Sequence, residues 1–203
     1  MRVIIISGGD YSFGGEITEN DFVICADSGY DIALKNGIRV NLLMGDMDSV
    51  KADISTEKEK LLFPSRKDYT DTELAVRHAV NIKPDEIILL GCMGSRADHT
   101  LANIFLLKYI REQGINAHIE DENNKIYYYK DFIKLDGMSG KTVSLIPLTS
   151  EIKGITTRGM DYPLNVENLY FGESRGVSNI ITEDEASYIS ETGEGFIVIS
   201  DGI

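Results

Sequence analysis

The side chains able to do chemistry cluster at a few glycine- and serine-marked turns. Asp27 stands in Ala26-Asp27-Ser28-Gly29, and Asp46 and Asp48 stand in Gly45-Asp46-Met47-Asp48-Ser49. Asp71 belongs to Lys67-Asp68-Tyr69-Thr70-Asp71-Thr72-Glu73, and Asp98 to Gly91-Cys92-Met93-Gly94-Ser95-Arg96-Ala97-Asp98-His99. An Asp-x-Asp pair after a buried strand holds two carboxylates close together, where they repel unless a cation lies between them. Hard divalent ions such as Mg²⁺ take a few carboxylates together with phosphate oxygens of a substrate. Lys67 and Arg96 add positive donors, and an arginine can grip a phosphate through two parallel hydrogen bonds. Gly8, Gly9, Gly91 and Gly94 let backbone approach a ligand closely. Singly these signals are weak, because Asp-Ser-Gly is a common turn. Acids, a metal and flanking bases in combination make the usual environment for phosphoryl-group transfer.

Such a combination works only if the chain delivers the acids to one place. Residues 3–7, 22–26, 41–44, 87–92 and 115–119 are short apolar runs without polar alternation, the pattern of strands buried on both faces. Between them, 71–81 reads as a helix, with Thr70 or Asp71 as cap, Glu73 in its first turn and Leu74, Ala75 and His78 on one face. A second helix is expected over 100–113, with Leu101, Ile104, Phe105 and Lys108 at helical spacing and Gly114 as its stop. Strands separated by helices predict an α/β fold with a Rossmann-like parallel sheet covered on both faces. Ligands of open α/β sheets sit outside the carboxyl ends of the strands, which is where the acidic turns fall.

After residue 124 the pattern changes to strand-like stretches at 127–129, 142–148, 151–156, 168–171, 178–182 and 195–200, separated by turns such as Asp136-Gly137 and Arg158-Gly159. That predicts an antiparallel β-sandwich. The expected division is an α/β domain over 1–125 and a β-sandwich domain over 132–203.

The chain has 203 residues, 42% hydrophobic and 26% charged, within the range of globular proteins. Its formal charge of −13 opposes unspecific nucleic-acid binding, which needs clustered Lys and Arg. Cys25 and Cys92 are the only cysteines and lack metal-ligand spacing, so neither a disulfide scaffold nor a zinc site is expected. The apolar stretch at the N-terminus is short for a signal peptide, and no segment approaches the roughly 18 apolar residues of a membrane span. A cytoplasmic protein without membrane contact is expected. His78 and His118 read as packing or surface histidines, His99 as either a site residue or a helix cap, and Tyr127, Tyr128 and Tyr129 as core.

Taken together, the ordered motifs resemble the thiamine pyrophosphokinase family. They are Ala26-Asp27-Ser28-Gly29, Gly45-Asp46-Met47-Asp48-Ser49, Lys67 to Glu73, and the set Gly91, Gly94, Arg96, Asp98, His99, Leu101 and Asn103. Ser144-Leu145-Ile146-Pro147-Leu148 and Gly176-Val177-Ser178-Asn179 complete the series. The resemblance spans nearly the whole chain. It implies an N-terminal α/β catalytic domain, a C-terminal β-sandwich that binds thiamine, and a homodimer. It implies transfer of the terminal diphosphate of ATP to the hydroxyethyl oxygen of thiamine, with release of AMP. By the same resemblance, Asp46, Asp48, Asp71 and Asp98 match the Mg²⁺-binding and catalytic carboxylates; a carboxylate close to the hydroxyl could take its proton, and Asp71 is the expected base. Asp27, Lys67, Arg96, His99 and Asn103 match positions near ATP, and Ser178 and Asn179 match the segment that meets thiamine. Two places depart from the family pattern: the Pro-Asp often found before the third strand is missing from 37–41, and Ile180 replaces an acid. A diphosphokinase for a hydroxymethylpterin, a non-catalytic thiamine or nucleotide sensor, and a metal-dependent phosphohydrolase are the competing readings.

Overall fold

A computed structural model describes residues 1–55, 57 and 59–201, which form two compact units that meet in sequence at Glu122 and Asn123. The first unit is built on six parallel strands. These are β1 (Arg2–Ile6), β2 (Phe22–Ala26), β3 (Leu42–Gly45), β4 (Lys60–Leu62), β5 (Glu86–Leu90) and β6 (Asn116–Glu120), in the spatial order β6-β5-β1-β2-β3-β4. Beyond β1 the chain first builds outward through β2, β3 and β4, then returns to place β5 and β6 on the other side. The order therefore reverses between β1 and β5, the position at which open α/β sheets form their ligand crevice.

Apolar runs predicted five of these strands, which are covered on both faces; β4, with Leu61 and Leu62 exposed, was not among them. Ile4, Ile6, Val23, Cys25, Leu43, Ile88 and Leu90 pack with Tyr30 and Ala33 of α1 (Gly29–Lys35). The alternate residues Val3, Ile5, Ile24, Met44, Ile87 and Leu89 are just as deeply buried. Full burial of each such aliphatic side chain contributes about 1.5–3 kcal/mol. Helix α2 (Asp71–Ile82) packs against β1, β2 and β3, and α3 (Ala97–Glu112) packs against β6 and α2.

Several expected details are corrected. Helix α1 did not stand out in the sequence. The buried face of α2 is Thr72, Ala75, Val76 and Ala79, while Leu74 and His78 are half-buried. Helix α3 starts at Ala97 rather than near residue 100, and it buries Asn103, Leu107 and Ile110. Of the residues at helical spacing, Leu101 and Phe105 are exposed while Ile104 and Lys108 are half-buried.

The second unit is antiparallel. It contains β7 (Asn124–Lys134), β8 (Thr142–Pro147), β9 (Glu151–Arg158), β10 (Glu167–Tyr170), β11 (Asn179–Ile180) and β12 (Ser187–Ser200). Strand β12 pairs with β7 on both sides of an irregularity between Ile189 and Glu194. Its C-terminal half also pairs with β8, and its N-terminal half with β9. Val143, Leu145, Ile152, Ile155, Leu169 and Ile197 belong to one core, within which the Tyr129 hydroxyl donates to Ser190 Oγ at 2.9 Å. Residues 126–131, between the two expected domains, run inside β7, and β12 begins eight residues before the expected 195. The expected strand over 178–182 shrinks to Asn179–Ile180: Ser178 takes a left-handed φ of 62°, and Ile181 bridges Met160 instead. Among the described residues, no helix is long and apolar enough to cross a membrane.

Candidate functional site

At the switch between β1 and β5, two loops interlock. The Ser7 N–H donates to Leu90 O, the Gly9 N–H to Gly91 O and the Asp10 N–H to Met93 O, each at 2.8 Å. The approach demands glycine: a Cβ on Gly9 would lie 2.2 Å from Met93 O. One on Gly91, where φ is +62°, would lie 2.3 Å from Ser7 O. Asn103, buried on α3, donates its amide to Cys92 O at 2.8 Å and so fixes the same loop from beneath. The Ser7 and Thr72 hydroxyls, 2.9 Å apart, join the end of β1 to the start of α2.

Beside these loops lies a cleft of about 500 Å³ wholly within the first unit. Of the expected residues, Asp27, Asp46, Lys67, Asp71, Arg96, His99 and Asn103 line it. Asp27 follows β2 with φ +49°, and its N–H donates to Met44 O at 2.8 Å, which ties it to the end of β3. Met47, with φ +64°, turns the loop so that the Asp48 N–H reaches Asp46 Oδ1 at 3.2 Å. As a result one carboxylate oxygen from each of Asp27, Asp46 and Asp48 lies within 4.8 Å of the others. Asp27 accepts a hydrogen bond from the Ser49 hydroxyl through Oδ2, while its Oδ1 is buried without a hydrogen bond.

Thr70 caps α2 by accepting the Glu73 N–H at 3.2 Å, and this fixes Asp71 at the first helical position. The Lys67 ammonium bridges Asp71 Oδ1 at 3.0 Å and Asp46 Oδ2 at 3.2 Å. Burial opposes the ammonium's charge, but the carboxylates of Asp71 and Asp46 more than offset it, so its pKa is raised. Asp71 is pushed above the ordinary carboxylate range by burial and by Asp46 and Asp27, against the pull of Lys67. Asp46 is lowered by the Asp48 N–H and by Lys67, and Asp48 is raised chiefly by the charge of Asp46. Three clustered carboxylates, one with an orphaned oxygen, form a donor set that suits a hard divalent cation.

Asp98 is not brought into this group. It is exposed and accepts from Arg96 Nε at 2.9 Å and Nη2 at 2.6 Å, a fork that holds its carboxyl well below the usual range. The second unit carries Ser178 and Asn179. The Ser178 N–H donates to Ser144 Oγ at 3.0 Å. The Asn179 amide is engaged with its own fold, accepting from the Tyr162 and Ile180 N–H groups at 3.0 and 2.9 Å and donating to Tyr162 O at 2.7 Å.

Sequence reasoning missed Tyr69, whose ring borders the cleft and lies 4.4 Å from the Arg77 guanidinium carbon. The i,i+4 pair of Glu73 and Arg77 on α2 was the available signal. Tyr11, Phe13, Arg39 and Asn41 help to line a larger hollow of about 680 Å³, which contains none of the clustered carboxylates.

Residues 13–119 match the family model described as "Thiamin pyrophosphokinase, catalytic domain", and residues 126–194 match "Thiamin pyrophosphokinase, vitamin B1 binding domain". The chain belongs to the thiamin pyrophosphokinase family. It is 28% identical to the thiamine pyrophosphokinase of Bacillus subtilis (strain 168) over 200 residues, 93% of this chain and 94% of that protein. It superposes on the crystal structure of thiamine pyrophosphokinase from Bacillus subtilis with a TM-score of 0.91, 26% identity and full coverage of both chains. The thiamin pyrophosphokinase family protein from Enterococcus faecalis gives a TM-score of 0.85 with 26% identity, again over both whole chains.

Proposed function

We propose that the protein is a Mg²⁺-dependent thiamine diphosphokinase, transferring the diphosphate of ATP to the hydroxyethyl oxygen of thiamine. The observation that carries this reading is the convergence of Asp27, Asp46 and Asp48 within 4.8 Å beside a glycine-built cleft. Under this reading 1–125 is the catalytic domain and 132–203 a thiamine-binding β-sandwich, and the enzyme works as a cytoplasmic homodimer.

Asp27, Asp46 and Asp48 would hold the ion, with Asp71 beside them. Mg²⁺ supplies neutralisation of phosphate charge and orientation of the β-phosphorus. The glycine loops, whose Ser7, Gly9 and Asp10 N–H groups hold the neighbouring loop, form the wall of the cleft, and Arg96 and His99 on its rim bind the nucleotide. Asn103 acts indirectly, through its hydrogen bond to Cys92 O. Asp71 takes the thiamine hydroxyl proton as the oxygen attacks the β-phosphorus. The new O–P bond forms as the bond from the β-phosphorus to the oxygen bridging the α-phosphate breaks, and AMP leaves with that oxygen. The raised pKa of Asp71 suits a base. Ser178 and Asn179 serve the thiamine side, Asn179 by shaping the 160–162 turn, since its amide is already engaged.

Product analysis with purified protein, Mg-ATP and thiamine tests the proposal. Thiamine diphosphate and AMP are expected in equal amounts, and chelation of the metal should abolish both. Thiamine monophosphate with ADP would overturn the assignment of the attacked phosphorus. Phosphate release without an acceptor would overturn the transferase reading.

A further inference from the structure

Among the described residues, Lys67 is the only lysine or arginine in ion-pair contact with the acids of the cleft. The side chains of Lys67 and Asp46 are each 12% exposed and that of Asp71 is 21% exposed, so this bridge is largely withdrawn from water. Asp46 therefore has two claimants. Its Oδ2 faces the ammonium at 3.2 Å, and the same carboxylate belongs to the group with Asp27 and Asp48. Asp71 is pinned in the same way, by an ammonium 3.0 Å from Oδ1 that comes from the segment leading into α2.

We infer that Lys67 is a resident counter-ion that holds Asp46 and Asp71 in place and opposes entry of a bare divalent cation, so that the cation is taken up with the nucleotide. This rests on the kinase reading above. A cation bound by Asp46 must share its partner with an ammonium a few ångströms away, and like charges at that range repel appreciably in a half-buried site. A triphosphate removes the conflict. Its oxygens give the ammonium new partners, and the flexible four-carbon stem of lysine lets it swing toward them. Lys67 is thus a positioning residue, acting through Asp46 and Asp71.

The test uses Mn²⁺ alone as probe, followed by the paramagnetic signal of free Mn²⁺ in titrations of the whole protein without nucleotide. Lys67→Gln keeps a hydrogen-bond donor between the two acids but removes the charge. It should bind Mn²⁺ roughly tenfold or more tightly than the parent, the scale of one unit charge at such distances. Lys67→Arg keeps the charge and should behave like the parent. Lys67→Met gives a second uncharged variant, with circular dichroism and thermal midpoint reporting whether each is folded. A non-hydrolysable ATP analogue should shrink the difference between Gln variant and parent. Equal or weaker Mn²⁺ binding by folded Lys67→Gln and Lys67→Met would overturn the inference. The product analysis decides the kinase reading separately, since the Mn²⁺ titration contains no substrate.

Discussion

Asp46 and Asp98 stand in similar acidic motifs, yet their surroundings differ. Asp46 is joined to Asp27 and Asp48 within 4.8 Å, whereas Asp98 is exposed and bound by the Arg96 fork. Asp46→Asn should therefore lower Mn²⁺ affinity by more than the roughly 10–100-fold that loss of an outer partner costs. Asp98→Asn should leave Mn²⁺ binding by the free protein unchanged, and titrations of both variants check the contrast. Asp21 plays a different part. Hydrogen bonds from Arg2 hold its buried carboxyl at about 2, below the ordinary 3.8. Because the folded-state value is depressed, this stabilisation is fully present above about pH 4 and is lost as pH falls toward 2. Asp21→Asn should destabilise the protein by about 2 kcal/mol at neutral pH, with the difference from the parent vanishing near pH 2 in denaturant titrations. At this scale the residue types of the cleft were legible, because acids, glycines and basic residues recur together after several buried strands, although each turn alone is common. Their grouping was not, since it depends on left-handed backbone at Asp27 and Met47 and on the bridge made by Lys67. The roles of Asn103 and Asn179 were also hidden: an amide serves a ligand or a loop equally well, and here both hold backbone.

At the scale of elements, the helix that presents Asp71 depends on one cap. Thr70→Ala removes the acceptor for the Glu73 N–H and should cost about 1 kcal/mol. Because Asp71 is the first helical residue, we expect turnover to fall by more than the stability change alone would produce, with steady-state kinetics and thermal unfolding measured side by side. Five strands of the first unit were legible to within a residue or two, since runs such as Val3, Ile4, Ile5 and Ile6 are buried on both faces, whereas the short β4 exposes Leu61 and Leu62 and gave no apolar run. Helix α1 was not, being only seven residues with no cap made by the Ser28 side chain. The buried face of α3 was not legible because its apolar residues surround the helix: Leu107 and Ile110 are buried while Leu101 and Phe105 are exposed. Strand β12 was shortened in the reading because Glu191, Thr192, Gly193 and Glu194 look like a break. They fall where its pairing with β7 shifts, and the strand continues through them.

For the whole molecule, net charge sets how the nucleotide is met. With 20 Lys+Arg against 33 Asp+Glu, the chain carries −13, and a metal-free nucleoside triphosphate approaches against a repulsive field. A divalent metal cancels most of the negative charge at the acids while the distant charges remain. Added salt shortens the screening length, to about 10 Å at 0.1 M, and so weakens the distant repulsion before it touches contacts inside the cleft. Binding of ATP measured in the presence of a chelator should therefore strengthen as sodium chloride is raised from low to near-physiological concentration. With Mg²⁺ present the same titration should be flat or should weaken with salt, since the metal-bridged contacts are then the electrostatic part that remains. Calorimetric titrations over the same salt series separate the two cases. If metal-free ATP bound best at the lowest salt, attraction by Lys67 and Arg96 would outweigh the field of the whole chain, and the acids of the cleft would not be the barrier that the metal overcomes.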